Sequence, residues 1–353
     1  MMEIQPKIIW DKGSAYDLFV SLYIIHRPDE FGLRPSWAAG VRSRLPISLR
    51  DALEHSQEFM GVPLPWIYQL PEPKDSKTAV ASLAKLAPED RLPALVFGNR
   101  HSRNSKEYRD CLLSMDGKQR LTANLETQIK DTLSNPSIYT KAFGRAVFDA
   151  WSDRKSFGEK FLEALEAYVN NFFLEEEPRI IPAQDEGLDK AQSMAEQKDA
   201  LTLLEELSEG VRMDWISEVT DLVLAPSFWG APFVFFNRID DYKGIILFGA
   251  RPEGKTLVPG ELVPEELLNA LKALADPTRL RILHYLQEGP STTTELAKIL
   301  RLRPPTVIHH LQSLRLAGLI FVTVSPKSER RYAVRMEGLD TTTNYLKDYL
   351  TGG

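Results

Sequence analysis

The chain has one cysteine, Cys111, in 353 residues. A disulfide within the chain is therefore excluded, and so is a thiolate metal cluster built by one protomer. Cysteine poverty fits a reducing compartment, so the expectation is a cytoplasmic protein. Long apolar runs are missing as well. The longest, around Leu18–Ile25 and Phe233–Phe236, fall far short of a membrane span. Met1–Trp10 has no basic region followed by an apolar stretch, so no secretory signal is expected. No glycine-rich loop precedes a helix, which leaves nucleotide binding without support. No Ser/His/Asp or His/Glu grouping surrounds His26, His55 or His101. The expectation is a chain that is not an enzyme and needs no cofactor.

A surplus of positive charge is also lacking: 43 basic residues face 49 acidic ones, a net of -6. Taken whole, this argues against nonspecific coating of nucleic acid. The charge is unevenly placed, however. Met1–Asn269 carries a net of -11, Ala270–Arg335 a net of +7 and Met336–Gly353 a net of -2. A basic block inside an acidic chain reads as a separate module. The sequence divides into a region 1–260 for regulation or dimerisation and a C-terminal domain 261–353.

The first region reads as mostly helical. Ser14 with Asp17 three residues on gives a capping signal, and Ala15, Leu18, Phe19, Leu22 and Ile25 form a helical stripe that stops before Pro28. Further helices are predicted over 36–45, 49–60, 76–86, 105–115, 121–133, 139–151 and 157–173. Glu175–Glu177 with its two following prolines reads as a loop, and 188–209 as a long surface helix. Short Val-, Ile- and Phe-rich segments at 221–224, 232–236 and 244–248 then predict a small antiparallel meander over about 221–249.

The basic block is the most informative part. A helix over 264–274 precedes Asp276, a good N-cap, with Pro277 in the first turn of the next helix. Gly289–Pro290 ends that helix. Thr292 and Glu295 form a capping box for a short third helix reaching Leu300, and Arg301–Arg303 makes a turn into a fourth helix over 304–317. Short helix, tight turn and second amphipathic helix is the helix-turn-helix arrangement. Val307, Leu311 and Leu314 face inward and leave Thr306, His309 and Gln312 outside, able to bond base edges or phosphates. Leu319–Val324 and Arg330–Val334 read as a hairpin, a wing whose Lys327, Arg330, Arg331 and Arg335 would neutralise phosphates. The candidate DNA-binding residues are Arg303, Thr306, His309, His310, Gln312, Arg315, Lys327, Arg330 and Arg331.

The run from Leu271, Leu-Lys-Ala-Leu-Ala-Asp-Pro-Thr-Arg-Leu-Arg-Ile-Leu, closely resembles the start of ArsR-type winged-helix transcriptional regulators. So does Thr306-Val307-Ile308-His309-His310-Leu311 with the later Leu314-Arg315-Leu316-Ala317-Gly318-Leu319-Ile320. The resemblance implies a dimeric, sequence-specific DNA-binding regulator, usually a repressor released by an effector. Ile308 departs from the pattern, standing where a small polar residue is usual. Metal sensors of the family use a Cys-x-Cys on the third helix or Asp, His and Glu on the last. Here 294–296 holds no Cys, and 339–350 holds Asp340 and Asp348 but no His. No metal site is expected. The family's dimer is usually built from the flanking helices, where Leu267, Leu271, Tyr345, Leu346 and Tyr349 either serve that role or pack within one subunit. Trp10-Asp11-Lys12-Gly13-Ser14-Ala15-Tyr16-Asp17-Leu18 resembles, more weakly, the start of an extension fused to some ArsR-type regulators, and implies no ligand.

His309 and His310 adjoin, but neighbours on a helix point about 100° apart, so a zinc pair is not expected. His309 is read as a DNA contact and His310 as a boundary residue near phosphate. His284 is read as structural and Cys111 as a buried apolar residue. Most of the tryptophans read as core. The sharper reading is an aromatic-lined ligand pocket, with Phe228, Trp229 and Phe233 as candidates. The fold class expected is mainly α with small β elements. The function expected is a dimeric repressor that binds a double-stranded operator and is released by a small-molecule effector. An interaction protein whose winged helix binds protein, with the N-terminal region as scaffold, stays open as the alternative.

Overall fold

A computed structural model describes residues 6–98, 106–133, 135–252, 254–258, 265–324 and 329–351. Strand β1 (Lys7–Trp10) leads into α1 (Ser14–Ile25), α2 (Pro35–Arg42), α3 (Ile47–Gln57), α4 (Leu64–Tyr68), α5 (Ser76–Ala84) and α6 (Pro88–Phe97). Helices α7 (Lys106–Leu113), α8 (Ala123–Thr132), α9 (Lys141–Ser152) and α10 (Arg154–Tyr168) follow. A π turn, Val169–Phe173, joins α10 to α11 (Leu174–Ala195), and α12 is Ala200–Leu207. Then come β2 (Val211–Met213), β3 (Asp221–Ser227), β4 (Phe235–Arg238) and β5 (Lys243–Gly249). The last part holds α13 (Glu265–Leu274), α14 (Pro277–Leu286), β6 (Ser291–Thr292), α15 (Thr293–Leu300), α16 (Pro304–Leu316), β7 (Ile320–Val324), β8 (Arg331–Val334) and α17 (Met336–Thr351). The fold is mainly α with small sheets, and among the described residues no helix is long and apolar enough to cross a membrane.

Most predicted helices form close to their expected bounds. Helix α6 was not foreseen, although Pro88 at its first turn with Glu89 and Asp90 beside it is a fair start signal. The acidic triplet Glu175–Glu177 is not a loop. It fills the first turn of α11, where negative charge is favoured, and the helix continues through Pro178 and Pro182. Burial of Ile180, Ala183, Gln184 and Ala191 holds the helix despite the two lost donors. The long surface helix expected over 188–209 breaks at Asp199, whose carboxylate accepts from the N–H groups of Leu201 and Thr202 and starts α12.

The antiparallel meander is corrected to a mixed sheet in the order β1-β3-β5-β4. Strands β1 and β3 pair in parallel, as do β3 and β5; only β4 and β5 run antiparallel. The segments at 221–224 and 244–248 form strands, the middle strand is Phe235–Arg238 in place of 232–236, and the order differs: β5 inserts between β3 and β4, and the unexpected N-terminal strand β1 takes the outer edge. Both faces of β3 and β5 are buried, as parallel strands require. Their alternation assigns each side chain to one of two cores. Val223, Ala225, Ile245 and Leu247 join the large helical core of the N-terminal region. Leu222, Leu224, Ile246 and Phe248 join a second core that also contains Ile282, Leu296, Leu311 and Ile320.

The second core crosses the sequence boundary drawn at 260. Strand β2 pairs in parallel with β7, with Val211 opposite Val322 and Met213 opposite Val324. The sheet of the winged helix therefore reads β2-β7-β8-β6, its first strand contributed from residues 211–213. Gly210 makes this pairing achievable: its φ is +96°, and a Cβ there would lie 2.3 Å from the Phe321 ring.

The segment from Trp10 to Asp17 is the knot of the N-terminal region. Asp11 Oδ2 accepts from Lys74 Nζ at 2.6 Å and from Tyr16 Oη at 2.5 Å. A Cβ on Gly13 would lie 2.4 Å from the Lys74 carbonyl oxygen, so only glycine fits. Ser14 does not cap α1; its hydroxyl donates to Glu177 Oε1 at 2.7 Å. Asp17, expected as its capping partner, is fully buried. It accepts from Ser227 Oγ (2.6 Å), Gln184 Nε2 (2.7 Å), Trp229 N–H (2.8 Å) and Phe228 N–H (3.0 Å). Burial pushes the Asp17 carboxyl above its ordinary range, against the pull of these donors.

Replacing Asp17 with Ala leaves two buried backbone N–H groups and a hydroxyl without their acceptor. The expected loss is at least about 3 kcal/mol in a denaturant titration; a loss under about 1 kcal/mol would contradict the role assigned to it. His26 gives a pH signature. Its Nδ1 donates to the Leu22 carbonyl at 2.8 Å, and its Nε2 is buried without a partner. Burial lowers its pKa from 6.5 to about 4. Below 6.5 the unfolded chain takes up a proton that the folded chain refuses until about 4, so stability falls as pH drops through that window. His26→Gln is expected to flatten the fall; an unchanged pH profile would show that His26 does not drive it.

Candidate nucleic-acid interface

Local signals build the helix-turn-helix as the sequence implies. Asp276 accepts from the N–H groups of Thr278 (2.8 Å) and Arg279 (3.0 Å), starting α14. Thr292 and Glu295 close a full capping box on α15: Glu295 N–H donates to Thr292 Oγ1 at 3.2 Å and Thr292 N–H to Glu295 Oε2 at 2.7 Å. Arg301 takes a left-handed φ of +57° in the turn, and Arg303 is the N-cap residue of α16. Gly318, at φ +66°, ends the segment that leads into β7.

Val307, Leu311 and Leu314 of α16 are buried, as expected from their spacing. Arg303, Thr306, His309 and Gln312 are exposed. Ile308 shares that outer face and is exposed too. His310 is half-buried beside the start of α14, where desolvation lowers its pKa and Asp276 opposes the shift. The wing is β7 and β8, in antiparallel register from Ile320 opposite Val334 to Thr323 opposite Arg331. Arg330 and Arg331 are exposed on it. Arg331 also donates to the Pro290 carbonyl at 3.1 Å, which tethers it to the loop before β6. Lys327 lies outside the described residues. Arg303, Thr306, His309, Arg330 and Arg331 thus share one domain as exposed polar side chains on its recognition helix and wing.

Arg315 is a correction. It is 7% exposed and faces the N-terminal region, not solvent. Its Nη2 donates to the carbonyls of Ser208 (2.6 Å) and Pro232 (3.2 Å), while Nη1 is buried without a hydrogen-bond partner. Burial lowers its pKa to about 10. The exposed pattern expected of a helix residue fails here because the loops after α12 and β3 cover this part of α16.

Two of the three aromatic ligand candidates are also corrected. Phe228 and Trp229 are buried in the large core, held there by the Asp17 hydrogen bonds to their backbone. Phe233 is different: it lines a cavity of about 490 Å³ between the N-terminal region and the winged helix. Phe31 and Phe235 share that wall, with the Phe31 and Phe233 rings 4.9 Å apart edge to face and Phe31 and Phe235 stacked at 6.0 Å. The opposite wall is Leu311, Gln312 and Arg315 of α16 with Val322 and Tyr332 of the wing. No local pattern marks Phe31 as a partner of Phe233, since 202 positions separate them. His284 is exposed and Cys111 half-buried, its thiol pushed up by burial. Among the described residues no group of three or more His, Cys, Asp or Glu side chains is placed to hold a metal ion.

Comparison with known proteins bears on the last part of the chain. The family described as bacterial regulatory protein, arsR family, matches residues 276–321. The transcriptional repressor SdpR of Bacillus subtilis (strain 168) is 29% identical over 91 residues, covering 24% of this chain and 93% of that protein. The HTH-type transcriptional regulator NmtR of Mycobacterium tuberculosis (strain ATCC 25618 / H37Rv) is 40% identical over 55 residues, 16% of this chain and 46% of that one. A solved structure of an ArsR family transcriptional regulator is 31% identical, covers 25% of this chain and 91% of its own, and superposes with a TM-score of 0.23. With its capping box, recognition helix and wing in place, the C-terminal domain of this chain is a winged helix-turn-helix of the ArsR family.

Proposed function

We propose that the chain is a sequence-specific DNA-binding transcriptional regulator, a homodimeric cytoplasmic repressor that leaves its double-stranded operator when an effector binds. It has no catalytic role in this reading. The observation that carries it is the exposed set Arg303, Thr306 and His309 on α16 beside Arg330 and Arg331 on the wing. The net charge of +7 over residues 270–335 supports it, because it places the chain's cationic surplus on this domain. The remainder of the chain is acidic overall, net -13, and adds no cationic surplus elsewhere. The repressor role draws on SdpR, which is named a transcriptional repressor. Exposed Leu271, Tyr349 and Leu350 on the flanking helices support an apolar dimer contact.

Thr306 and His309 read base edges in this account, while the wing arginines hold phosphates and position the helix. Arg315 is left out, because its guanidinium is committed to backbone carbonyls inside the fold.

Arg330→Ala with Arg331→Ala tests the wing. Each lost phosphate contact lowers the slope of log affinity against log salt by about 0.9, so the double variant is expected to lose up to about 2 in slope. Unchanged affinity and slope would contradict DNA binding by the wing and favour the reading in which the winged helix binds protein. His309→Ala is expected to cost about 1–3 kcal/mol on a preferred duplex and little on random duplex. Equal losses on both would remove His309 from base recognition.

A further inference from the structure

We propose that the cavity between the N-terminal region and the winged helix is a binding site for a planar aromatic carboxylate, and that such a ligand and DNA exclude one another. The proposal rests on the regulator reading above and assigns its effector a place and a chemical class. The cavity, about 490 Å³, falls within the usual range for small-molecule sites. One wall is aromatic: Phe31, Phe233 and Phe235 all line the cavity and pack on one another, edge to face and stacked. That wall fits a flat ring system.

Charge selects the ligand's other end. Arg315 and Arg330 line the cavity against one carboxylate, Glu30, which leaves one positive charge in excess. Arg315 is the sharper of the two. It is nearly fully buried, makes no ion pair among the described residues, and keeps Nη1 without a partner. Glu209 supports the Arg315 charge without forming an ion pair and Arg335 opposes it, so burial still leaves the guanidinium short of a counter-charge. A carboxylate in the cavity adds negative charge beside it in a partly desolvated setting, where attraction is strong. A neutral ligand of the same shape does not.

The position of the cavity supplies the regulation. Its far wall is the C-terminal half of the recognition helix and the inner face of the wing, including Gln312 and Arg330. A ligand there touches both modules and holds the N-terminal region across the space between recognition helix and wing. Gln312 and Arg330 are also exposed candidates for DNA contact, so a ligand that occupies them competes with DNA for the same side chains. Each therefore weakens the other by the same factor.

The test is calorimetric titration of the full chain with 2-naphthoate and, separately, with naphthalene-2-carboxamide, both without DNA. The acid is expected to bind more tightly by about tenfold or more, which is about 1.4 kcal/mol. Arg315→Met is expected to abolish that preference and Arg315→Lys to retain it. Gln312→Glu, at an exposed position, is expected to weaken the acid alone and guards against misfolding of the Arg315 variants. Equal binding of acid and amide, no binding of the acid, or a preference that survives Arg315→Met would each overturn the site. A second titration, of DNA with and without 2-naphthoate, is expected to show a matching loss of affinity. Acid binding with unmoved DNA affinity would overturn the mutual exclusion while supporting the site. Because the first titration contains no DNA, failure of the site is read separately from failure of the regulator reading.

Discussion

A single buried carboxylate sets the geometry on which both halves of the molecule depend. Asp17, on the first helix, accepts hydrogen bonds from a side chain of α11 and from three consecutive residues, 227–229, at the end of β3. It thereby fixes the N-terminal helices to the sheet. In water such a charge would need no partners; inside the fold it tolerates no loss of them. The surrounding residues repeat the theme at lower cost. Asp11 holds Lys74 and Tyr16, Ser14 holds Glu177, and Gly13 lets the chain pass within contact of the Lys74 carbonyl. This short segment joins one helix to three distant parts of the chain.

The sheet that Asp17 anchors then transmits that order to the winged helix. Alternate residues of β3 and β5 point into the large helical core and into the core shared with α14, α15 and α16. A displacement of the sheet moves both. Strand β2 adds a direct link, since it completes the wing sheet from a position just after α12. Arg315 completes the connection by donating from the recognition helix to carbonyls at Ser208 and Pro232. The reader of DNA and the large N-terminal region are thus one packed body in this arrangement, joined by a shared core, a sheet pairing and the Arg315 hydrogen bonds.

The C-terminal domain was legible because its signals are local. Asp276, the Thr292–Glu295 box, the turn at Arg301 and the stop at Gly318 each act within a few residues and act as expected. The β segments were legible as segments, through their Val, Ile and Phe content, but not as a sheet. Parallel pairing of β1 with β3 joins residues more than 200 positions apart, and no short pattern encodes it. Asp17 was misread for the same reason: its spacing from Ser14 fits a capping pair, and only the fold brings Ser227 to it. Arg315 looks like any exposed arginine on a recognition helix until the loops at 208 and 232 cover it. Phe233 was found and Phe31 was not, because the cavity they line exists only where two regions meet.

A regulator of this kind must choose among DNA sequences through the exposed face of α16 and its wing. The most direct measurement compares the affinity of the full chain for the DNA upstream of its own gene with its affinity for random duplex, at one physiological salt concentration. Sequence-specific recognition predicts a ratio of about 1,000 or more. Near-equal affinities would contradict it.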